Sequence, residues 1–533
     1  MAQPSLPLHT AGRFIVDAGG NRVHLHAVNW YGAESGDFVV GGLAQAPLAS
    51  IVSQIKSLGF NAVRMPWSNE LYESNPAVAS QLVAANPSLA GRSALEVLDE
   101  VVSALTDAGL MVILDNHNSN AEWCCGDDGN TLWYNSQYPE SSWIADWQGM
   151  AARYADNPLV IGADLRNEPR VTATWGGAAA TDWHAAAERG GNAVLGVNPH
   201  LLIFVEGVNY ALDLSAAAAQ PVALNVDHQL VYVAHDYGMD YSGLTGYNDW
   251  LGQVTPRWGY LVTQVSVAPL WVGEFGTCNS ADSCVASSRA ADNGYWFGFL
   301  ASYLAANDLD WAYWPLNGTQ STGAGRTWGA PEAYGLLNPA WSGASLPSLA
   351  QTLTALASPG VSMGPGATVQ IQAPGGSGST ALTVSPRNGF TGTVQLSCAL
   401  KAEPSGAISP PTCTVPAQVS VTAAGAAQAT LTIATTASGS ALARPLKSSG
   451  WLAGPVLAGL LLLPCRLRRR RFAALLLAGV VLGWAAGGCG SGSGGGGGGG
   501  GNGGTTSGAY TFTVTATSTG TPAATARIAV SVL

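Results

Sequence analysis

Two glutamates lie at the ends of largely apolar runs that are far apart in the chain. Glu168 ends the run Ile161–Glu168, and Glu274 ends the run Leu270–Glu274. Acid-catalysed cleavage of a glycosidic bond needs two carboxyl groups: one protonates the departing oxygen, and the other attacks or stabilises the anomeric carbon. The pair therefore predicts glycosidic chemistry. A separation of about 5 Å between the two carboxyl groups would indicate that the anomeric configuration is retained.

The neighbours of the two glutamates predict different roles for them. Asn167 can hydrogen-bond a sugar 2-hydroxyl, a contact that strengthens as the oxocarbenium ion forms. We expect Glu274 to be the nucleophile, kept ionised by donors such as Arg64 and Tyr237, with small neighbours that let the substrate approach closely. We expect a raised pKa for Glu168, which would begin protonated and later act as a base. Taken alone, a glutamate before proline could equally solvate a turn.

Eight apolar runs alternate with amphipathic segments and predict the elements that position these residues. Strands joined by helices in this number are typical of a (β/α)₈ TIM barrel, whose chemistry lies at the carboxyl ends of the strands. A doubly wound open sheet would usually show fewer strands and a glycine-rich phosphate turn after the first strand. The runs are His24–Trp30, Asn61–Met65, Leu110–Asp115, Leu159–Arg166, Leu201–Glu206, Leu230–Asp236, Pro269–Glu274 and Leu309–Pro315.

Polar and aromatic residues collect at the ends of these runs. His117 and His235 both have acidic neighbours, and we expect them to recognise hydroxyl groups or to tune Glu168. Trp314 follows the last run and predicts a platform under the sugar being cleaved, because an indole ring stacks on the apolar face of a sugar. One or two such residues could be chance, but this many indicate a functional rim.

The sequence predicts no metal and no cofactor. It has no His-Glu-x-x-His motif, and no cluster of carboxylates accompanies the two histidines. Glu206 and Asp115 could supply a third carboxylate to the site, but we expect both to have a structural role.

Length, charge and composition narrow the class of protein. The 533 residues exceed what one domain usually holds, so we expect two or more. The formal net charge is -11, only 10% of residues are charged, and no basic surface is evident outside one arginine run. We therefore expect no nucleic-acid partner. Of the 18 tryptophans, we expect most to be structural and a few to line a groove.

The composition changes at about residue 357 to Gly, Ser, Thr, Ala and Val. We predict a catalytic barrel over residues 10–356, a linker over 357–366, and an all-β, immunoglobulin-like sandwich over 367–533. Runs with a period of two, such as Thr393–Cys398 and Tyr510–Ala516, support the sandwich. An apolar, arginine-rich and glycine-rich insertion interrupts it at about 444–504.

The insertion contains apolar segments that could associate with a membrane. Two apolar runs, Leu452–Pro464 and Phe472–Ala486, flank the basic segment Arg466–Arg471. Each run is short for a single span, which needs roughly 20 residues. A tight hairpin with its arginines on the cytoplasmic side could still anchor the chain, so we expect possible membrane association through residues 452–487. The alternative is a buried apolar insertion.

The cysteines and the first residues bear on location. The eight cysteines fall into near pairs whose spacing fits no zinc pattern. Met1–Pro4 shows no basic and apolar leader. Because disulfides suit an oxidising compartment, we nevertheless expect an extracellular or cell-surface monomer. The predicted disulfides are Cys278–Cys284 and Cys398–Cys413, with buried free thiols as the alternative, whereas Cys124 and Cys125 are ambiguous because adjacent cysteines bridge only with a strained peptide.

Several short motifs between Gly12 and about Trp341 carry a family resemblance. They are Asn29-Trp30-Tyr31-Gly32, Gly59-Phe60-Asn61-Ala62-Val63-Arg64, Asp115-Asn116-His117, Leu132-Trp133-Tyr134, Asn157-Pro158, Asn167-Glu168-Pro169, His235-Asp236-Tyr237 and Gly273-Glu274-Phe275-Gly276. Together they resemble glycoside hydrolase family 5, and within it the bacterial endoglucanases. The C-terminal part lacks the spaced aromatics of cellulose-binding modules and resembles a bacterial surface-protein immunoglobulin-like repeat.

The resemblance implies a TIM barrel, a β-glucan substrate and a retaining double displacement that needs no metal. It implies that Glu168 is the acid/base and Glu274 the nucleophile. It also implies that the enzyme is catalytically active. We include Trp30, from the first motif, among the substrate-binding residues. The remaining residues implied around the subsite where the bond breaks are Arg64, His117, Asn167, His235, Tyr237 and Trp314.

We therefore predict a retaining endo-β-1,4-glucanase that acts on cellulose or related β-glucans. One alternative keeps the fold and mechanism but acts on mannan, xylan or β-1,3-glucan, because specificity depends on the shape of the loops. The other is a non-catalytic surface protein for carbohydrate binding or adhesion, built on the same barrel. The intact glutamate pair argues against that second alternative.

Overall fold

The computed structural model describes residues 3–125, 129–364, 366–422, 425–439, 503–521 and 523–533. A short antiparallel hairpin, β1 (His9–Ala11) and β2 (Phe14–Val16), precedes the main sheet. Ile15 of this hairpin is fully buried and packs with residues near the starts of the main strands, such as Ala62 and Leu202. The hairpin therefore covers the amino end of that sheet.

Eight parallel strands close into a barrel in the order β10-β3-β4-β5-β6-β7-β8-β9. This confirms the predicted TIM barrel, and each strand overlaps one of the eight predicted runs. Alternate side chains point inward, where Ile113, Phe204 and Trp271 belong to one buried cluster. The strands are β3 (His26–Asn29), β4 (Ala62–Ser68), β5 (Met111–Asn118), β6 (Val160–Asp164), β7 (Leu202–Glu206), β8 (Leu230–His235), β9 (Leu270–Glu274) and β10 (Asp310–Tyr313).

Helices follow most barrel strands and bury their apolar faces against them. The third helix begins at a capping box, in which the side chains of Ser93 and Glu96 each accept a hydrogen bond from the other's backbone N–H. After β7, residues 207–229 form turns instead of a helix. The helices are α1 (Leu48–Ser57), α2 (Asn69–Ser74), α3 (Ala94–Asp107), α4 (Glu140–Arg153), α5 (Trp183–Val197), α6 (Tyr247–Val254), α7 (Tyr260–Thr263), α8 (Asn293–Asn307) and α9 (Pro347–Ala357).

The C-terminal part is all-β, as predicted. One sheet has the order β11-β13-β17-β15 and the other the order β12-β19-β18-β14-β16. Side chains from both sheets, such as Leu382 and Val514, fill one apolar core, as in a two-sheet sandwich. The strands are β11 (Gly360–Met363), β12 (Val369–Ile371), β13 (Ser377–Arg387), β14 (Gly392–Ala402), β15 (Thr412–Thr414), β16 (Gln418–Val421), β17 (Ala427–Ala434), β18 (Gly508–Thr517) and β19 (Ala524–Val532).

The predicted linker over residues 357–366 is wrong in part. Strand β11 lies within it and pairs with β13. Val361 and Met363 are buried in the core of the sandwich, and a strand of four residues is too short to show its alternation in sequence. The barrel and the sandwich are therefore joined almost directly.

The junction is hydrogen-bonded. Arg387 Nη1 and Asn388 Nδ2, at the end of β13, each donate to the carbonyl of Leu356 at 2.9 Å, and Asn388 also donates to that of Ser358 at 2.8 Å. The last carbonyls of a helix have no partner within the helix. The sandwich thus caps the carboxyl end of α9.

The structure forms both predicted disulfides. Cys278–Cys284 closes a short loop after β9, and Cys398–Cys413 joins β14 to β15 and so links the two sheets. Cys124 and Cys125 are also bonded to each other.

The predicted membrane segment, residues 452–487, lies outside the described residues. Within the part of the chain that the structure describes, no helix is both long enough and apolar enough to cross a membrane. The chain leaves the sandwich after Thr436 and returns at Thr505, whose backbone N–H donates to the Thr436 carbonyl at 2.9 Å. The two ends of the insertion therefore meet.

Candidate active site

The barrel brings the predicted site residues together, with one exception. Each side chain comes from a barrel strand or from the residues just after one. The residues brought together are Arg64 on β4, His117 on β5, Asn167 and Glu168 after β6, His235 on β8, Tyr237 after β8, Glu274 on β9 and Trp314 after β10.

Both carboxylate oxygens of Glu274 accept a hydrogen bond. Arg64 Nη1 donates to Oε1 at 2.6 Å, and the Tyr237 hydroxyl donates to Oε2 at 2.9 Å. Arg64 is fully buried, and its Nη2 also donates to Asn167 Oδ1 at 3.0 Å. A donor on β4 and a donor just after β8 thus orient the carboxylate.

Arg64 also contacts three carboxylates that sequence analysis did not predict as a group. Asp115, Asp164 and Glu206 each place an oxygen within 4.8 Å of the others, and Arg64 lies 3.1, 2.8 and 2.8 Å from them respectively. Burial raises the pKa of Asp115 to about 7 and that of Asp164 to about 6, although Arg64 opposes the rise. A guanidinium therefore already serves as the cation of this cluster.

Asp164 was missed altogether, although its position carried a signal. It is an acid at the end of an apolar run, which in a barrel places it at the catalytic face. For Arg64, burial disfavours the charged form, but the surrounding carboxylates keep its pKa well above the ordinary value.

Glu168 lies in a sharp bend after β6. Its φ of 47° falls in the left-handed region that non-glycine residues rarely adopt. Its backbone N–H donates to Glu206 Oε2 at 2.7 Å, and its Oε1 lies 2.9 Å from His235 Nδ1. The bend brings an oxygen of Glu168 within 4.8 Å of an oxygen of Glu274. This agrees with the predicted spacing and is shorter than the roughly 6.5–9.5 Å that inversion requires.

The predicted directions of the two glutamate pKa values are reversed. Burial works against ionisation of Glu168, but the hydrogen bond and the charge of His235 outweigh it and lower the pKa of Glu168. Burial raises the pKa of Glu274 despite His235 and Arg64. The sequence indicated that His235 could tune Glu168, but it could not show that the ring would lower the pKa of Glu168 and not raise it.

His117 and Trp314 lie side by side in the site. His117 Nδ1 lies 2.7 Å from Asp115 Oδ2, and burial lowers the pKa of His117 to about 3. The ring is therefore neutral and offers Nε2 as an acceptor. Trp314 stacks on His117 with a centroid distance of 5.5 Å and on Tyr31 with 5.4 Å. Its indole is half-buried, as a sugar platform would be.

Trp30 is the predicted binding residue that the structure does not place in the site. Its side chain is fully buried, and Nε1 donates to the Gly41 carbonyl at 2.9 Å. Asn29 faces the site instead, where its Oδ1 accepts from Arg64 Nη1 at 3.1 Å. Successive residues of a strand point to opposite faces. The motif therefore identified the correct strand, but the prediction named Trp30 where the neighbouring Asn29 faces the site.

The glycine before Glu274 serves packing rather than substrate access. A Cβ at Gly273 would lie 2.6 Å from Val233 Cγ1 and 3.3 Å from His235 Nε2. A Cβ at Gly276 would collide with the Trp314 carbonyl. The prediction that these small residues admit the sugar is therefore corrected.

The Cys124–Cys125 disulfide lies beside Asn167. Asn167 Nδ2 is 3.5 Å from Sγ of Cys124 and 3.7 Å from Sγ of Cys125. The loop after β5 thus reaches the predicted sugar-binding amide. Its next residues, 126–128, are not among those described.

Known proteins match this chain. A sequence model of the cellulase family, glycosyl hydrolase family 5, matches residues 16–320. An endoglucanase from Paenibacillus polymyxa is 37% identical over 353 residues, which is 61% of this chain and 84% of that protein. The major extracellular endoglucanase of Xanthomonas campestris pv. campestris is 38% identical over 250 residues, which is 44% of this chain and 50% of that protein.

Solved structures match as well. An endocellulase from Pyrococcus horikoshii has a TM-score of 0.56 and 29% identity, and the match covers 67% of this chain and 100% of that one. The catalytic domain of the major endoglucanase from Xanthomonas campestris has a TM-score of 0.55 and 32% identity, over 66% of this chain and 99% of that one.

Proposed function

The chain belongs to the cellulase family, glycosyl hydrolase family 5, and we propose that it is a retaining endo-β-1,4-glucanase of cellulose or related β-glucans. One observation carries the proposal: an oxygen of Glu168 lies within 4.8 Å of an oxygen of Glu274. This spacing leaves room for a covalent glycosyl adduct on Glu274 but not for a water molecule between Glu274 and the anomeric carbon. The endoglucanase relatives support the substrate class.

In the first step, Glu274 attacks the anomeric carbon while Glu168 protonates the departing oxygen. Arg64 and Tyr237 donate to Glu274 and so aim its carboxylate before the substrate arrives. The proton for the departing oxygen is available from the pair formed by Glu168 Oε1 and His235 Nδ1, which are 2.9 Å apart.

In the second step, Glu168 takes a proton from water, and the resulting hydroxide releases the sugar from Glu274. The lowered pKa of Glu168 suits it to this role as a base. The neutral His117 and the half-buried Trp314 lie where they can bind the hydroxyls and the face of the sugar. Burial of Glu168 and Glu274 keeps bulk water from the reacting centre.

The first test is Glu274→Ala. We expect turnover to fall by a factor of about 10⁴ or more, because the residue that forms the covalent intermediate is lost. A matched control is Glu100→Ala on the exposed face of α3, which should keep wild-type activity. Near-normal activity of Glu274→Ala, with an unchanged circular dichroism spectrum, would refute the nucleophile assignment.

The second test is a panel of polysaccharides. Reducing-sugar release should be greatest on carboxymethylcellulose or a mixed β-glucan, and lower on mannan, xylan and laminarin. If mannan, xylan or laminarin is preferred, the fold and mechanism stand but the assigned substrate is wrong. If none is cleaved and a fluoroglycoside fails to label Glu274, the non-catalytic binding protein becomes the better proposal.

We also propose an extracellular or cell-surface location. The two disulfides that link separate segments suit an oxidising compartment, and one relative is named an extracellular enzyme. Activity found only in the cytoplasmic fraction of the source cells would contradict this proposal. We further propose an immunoglobulin-like topology for the sandwich, supported by the Cys398–Cys413 bond between its sheets.

A further inference from the structure

His235 has a carboxylate at each of its ring nitrogens. Nδ1 lies 2.9 Å from Glu168 Oε1, and Nε2 lies 3.3 Å from Glu206 Oε1. A third carboxylate oxygen, Glu274 Oε2, is 3.8 Å from Nδ1. The His235 side chain is only 1% exposed, so water cannot screen these contacts.

This geometry favours a charged ring, because three carboxylate oxygens lie within 4 Å of one buried imidazole. Nδ1 makes the hydrogen bond, to Glu168, whereas the contact of Nε2 with Glu206 is an ion pair at 3.3 Å. Burial alone would lower the pKa of His235, but Glu206 and Glu274 and the hydrogen bond to Glu168 raise it well above the ordinary value. His117 shows the contrast, because its one hydrogen-bonded carboxylate, Asp115, leaves it neutral.

Glu206 makes two further contacts. Its Oε1 accepts from Arg64 Nη2 at 2.8 Å, and its Oε2 accepts the backbone N–H of Glu168 at 2.7 Å. The side chain is fully buried. One carboxylate therefore fixes the ring beside Glu168 and also the left-handed bend on which Glu168 stands.

We propose that Glu206 is a positioning residue that holds His235 as an imidazolium and thereby sets the highest pH at which Glu168 can still act as an acid. The proposal rests on the proposed function of Glu168. As the leaving oxygen departs, the His235 Nδ1–H bond breaks and an O–H bond forms on Glu168. Glu168 gives a proton to the glycosidic oxygen while Glu274 bonds to the anomeric carbon. The imidazole left neutral regains its proton once Glu168 has taken one from water.

Other charged groups also act on His235, and they determine the control. They are Asp115, Asp164, His117 and Asp240. Asp164 is the matched case, because it contacts Arg64 at 2.8 Å as Glu206 does. Among the described contacts, however, it makes none with the His235 ring.

The test is the pH profile of kcat/KM for Glu206→Gln, with Asp164→Asn as the control. Glutamine keeps an acceptor for the Glu168 N–H but removes the charge beside Nε2. The alkaline limb should therefore move to lower pH by about one unit or more, the range over which a neighbouring charge acts. Asp164→Asn should move it less. A lower kcat/KM at every pH with an unmoved limb would overturn the proposal, because it would indicate a structural role alone.

A second measurement needs neither Glu206→Gln nor enzymatic activity. Nitrogen chemical shifts of the wild-type histidines, assigned to His235 with His235→Gln, should show both ring nitrogens protonated at pH 7. A neutral tautomer would overturn the proposal. If both nitrogens are protonated but no glucan is cleaved, the proposed function fails while the charge state of His235 stands.

Discussion

At the scale of single residues, the buried cation Arg64 contacts most of the site. It donates to Glu274, Asn167, Asp164 and Glu206 and forms an ion pair with Asp115. A planar guanidinium can make this many directed contacts, whereas an ammonium could not. The position of Glu274 is thus decided by a residue on another strand.

Glu168→Ala tests the acid/base role at this scale. We expect kcat/KM on cellulose-derived oligosaccharides to fall about 10²–10⁴-fold, because the leaving oxygen loses its proton donor. A dinitrophenyl glycoside needs no such donor, so its glycosylation step should be nearly normal. Comparison of the two substrates by stopped-flow kinetics checks this. Equal losses on both would contradict the assignment.

Tyr237→Phe tests the control of Glu274. The Tyr237 hydroxyl donates to Glu274 Oε2 at 2.9 Å, and a donor to a carboxylate favours its ionised form. Loss of the donor should raise further a pKa that burial already raises. Because the nucleophile must be ionised, the acid limb of the kcat profile should lie at higher pH for Tyr237→Phe than for the wild type.

The control for this shift is Tyr241→Phe. Tyr241 donates to Asp236, a buried carboxylate to which we assign no catalytic role. That variant can lose stability, but the acid limb of its kcat profile should not move. An acid limb at the wild-type pH for Tyr237→Phe would show that the Tyr237 contact does not control Glu274.

At the scale of elements, strand geometry decides which residues meet. Asn29 faces Arg64 while its neighbour Trp30 is buried on the opposite side, because side chains alternate along a strand. The same rule brings Asp115 and His117 of β5 to one face, where they contact each other at 2.7 Å. A sequence motif therefore identifies the strand, and the alternation of side chains along that strand decides which residue faces the site.

Arg387→Ala tests the junction between the barrel and the sandwich. Arg387 donates to the carbonyls of Ala355 and Leu356 at the end of α9 and is buried. Its loss leaves buried acceptors without this partner, which should lower the free energy of unfolding by about 1–3 kcal/mol. Thermal unfolding measures the change, and Arg527→Ala is the control, because Arg527 is an exposed residue of β19. Equal unfolding midpoints would mean that the junction adds no stability.

At the scale of the whole molecule, the catalytic barrel carries a sandwich whose strands are separated in sequence. Strands β17 and β18 lie on either side of residues 440–502, and Thr436 and Thr505 hold the two ends together. The sandwich can therefore close without these residues.

Replacement of residues 440–502 by a short Gly-Ser loop tests this. We expect glucanase activity and the unfolding midpoint to stay at wild-type values or to rise slightly, because each halving of a loop saves about 0.6 kcal/mol of closure free energy. A lower midpoint would show that the insertion belongs to the fold. If the full chain sediments with membranes and the shortened chain does not, residues 440–502 contain the anchor. Equal sedimentation would contradict the membrane association predicted from the sequence.

The sequence alone determined the barrel, its eight strands, the all-β C-terminal part and two of the disulfides. It also pointed to Glu168 and Glu274. These features follow from local patterns: the alternation of apolar runs with amphipathic segments, the period of two in the sandwich, and acids at the ends of strands. Such patterns need only near neighbours in the chain, so they are legible without a structure.

Only the tertiary structure decided the charge of each group in the site. Glu206 and His235 are on different strands and contact each other at 3.3 Å, and His235 reverses the expected pKa direction of Glu168. A pKa depends on burial and on charges within a few ångströms, and neither is written in the order of the residues. The same reason hid the Asp164 contact with Arg64 and the burial of Trp30.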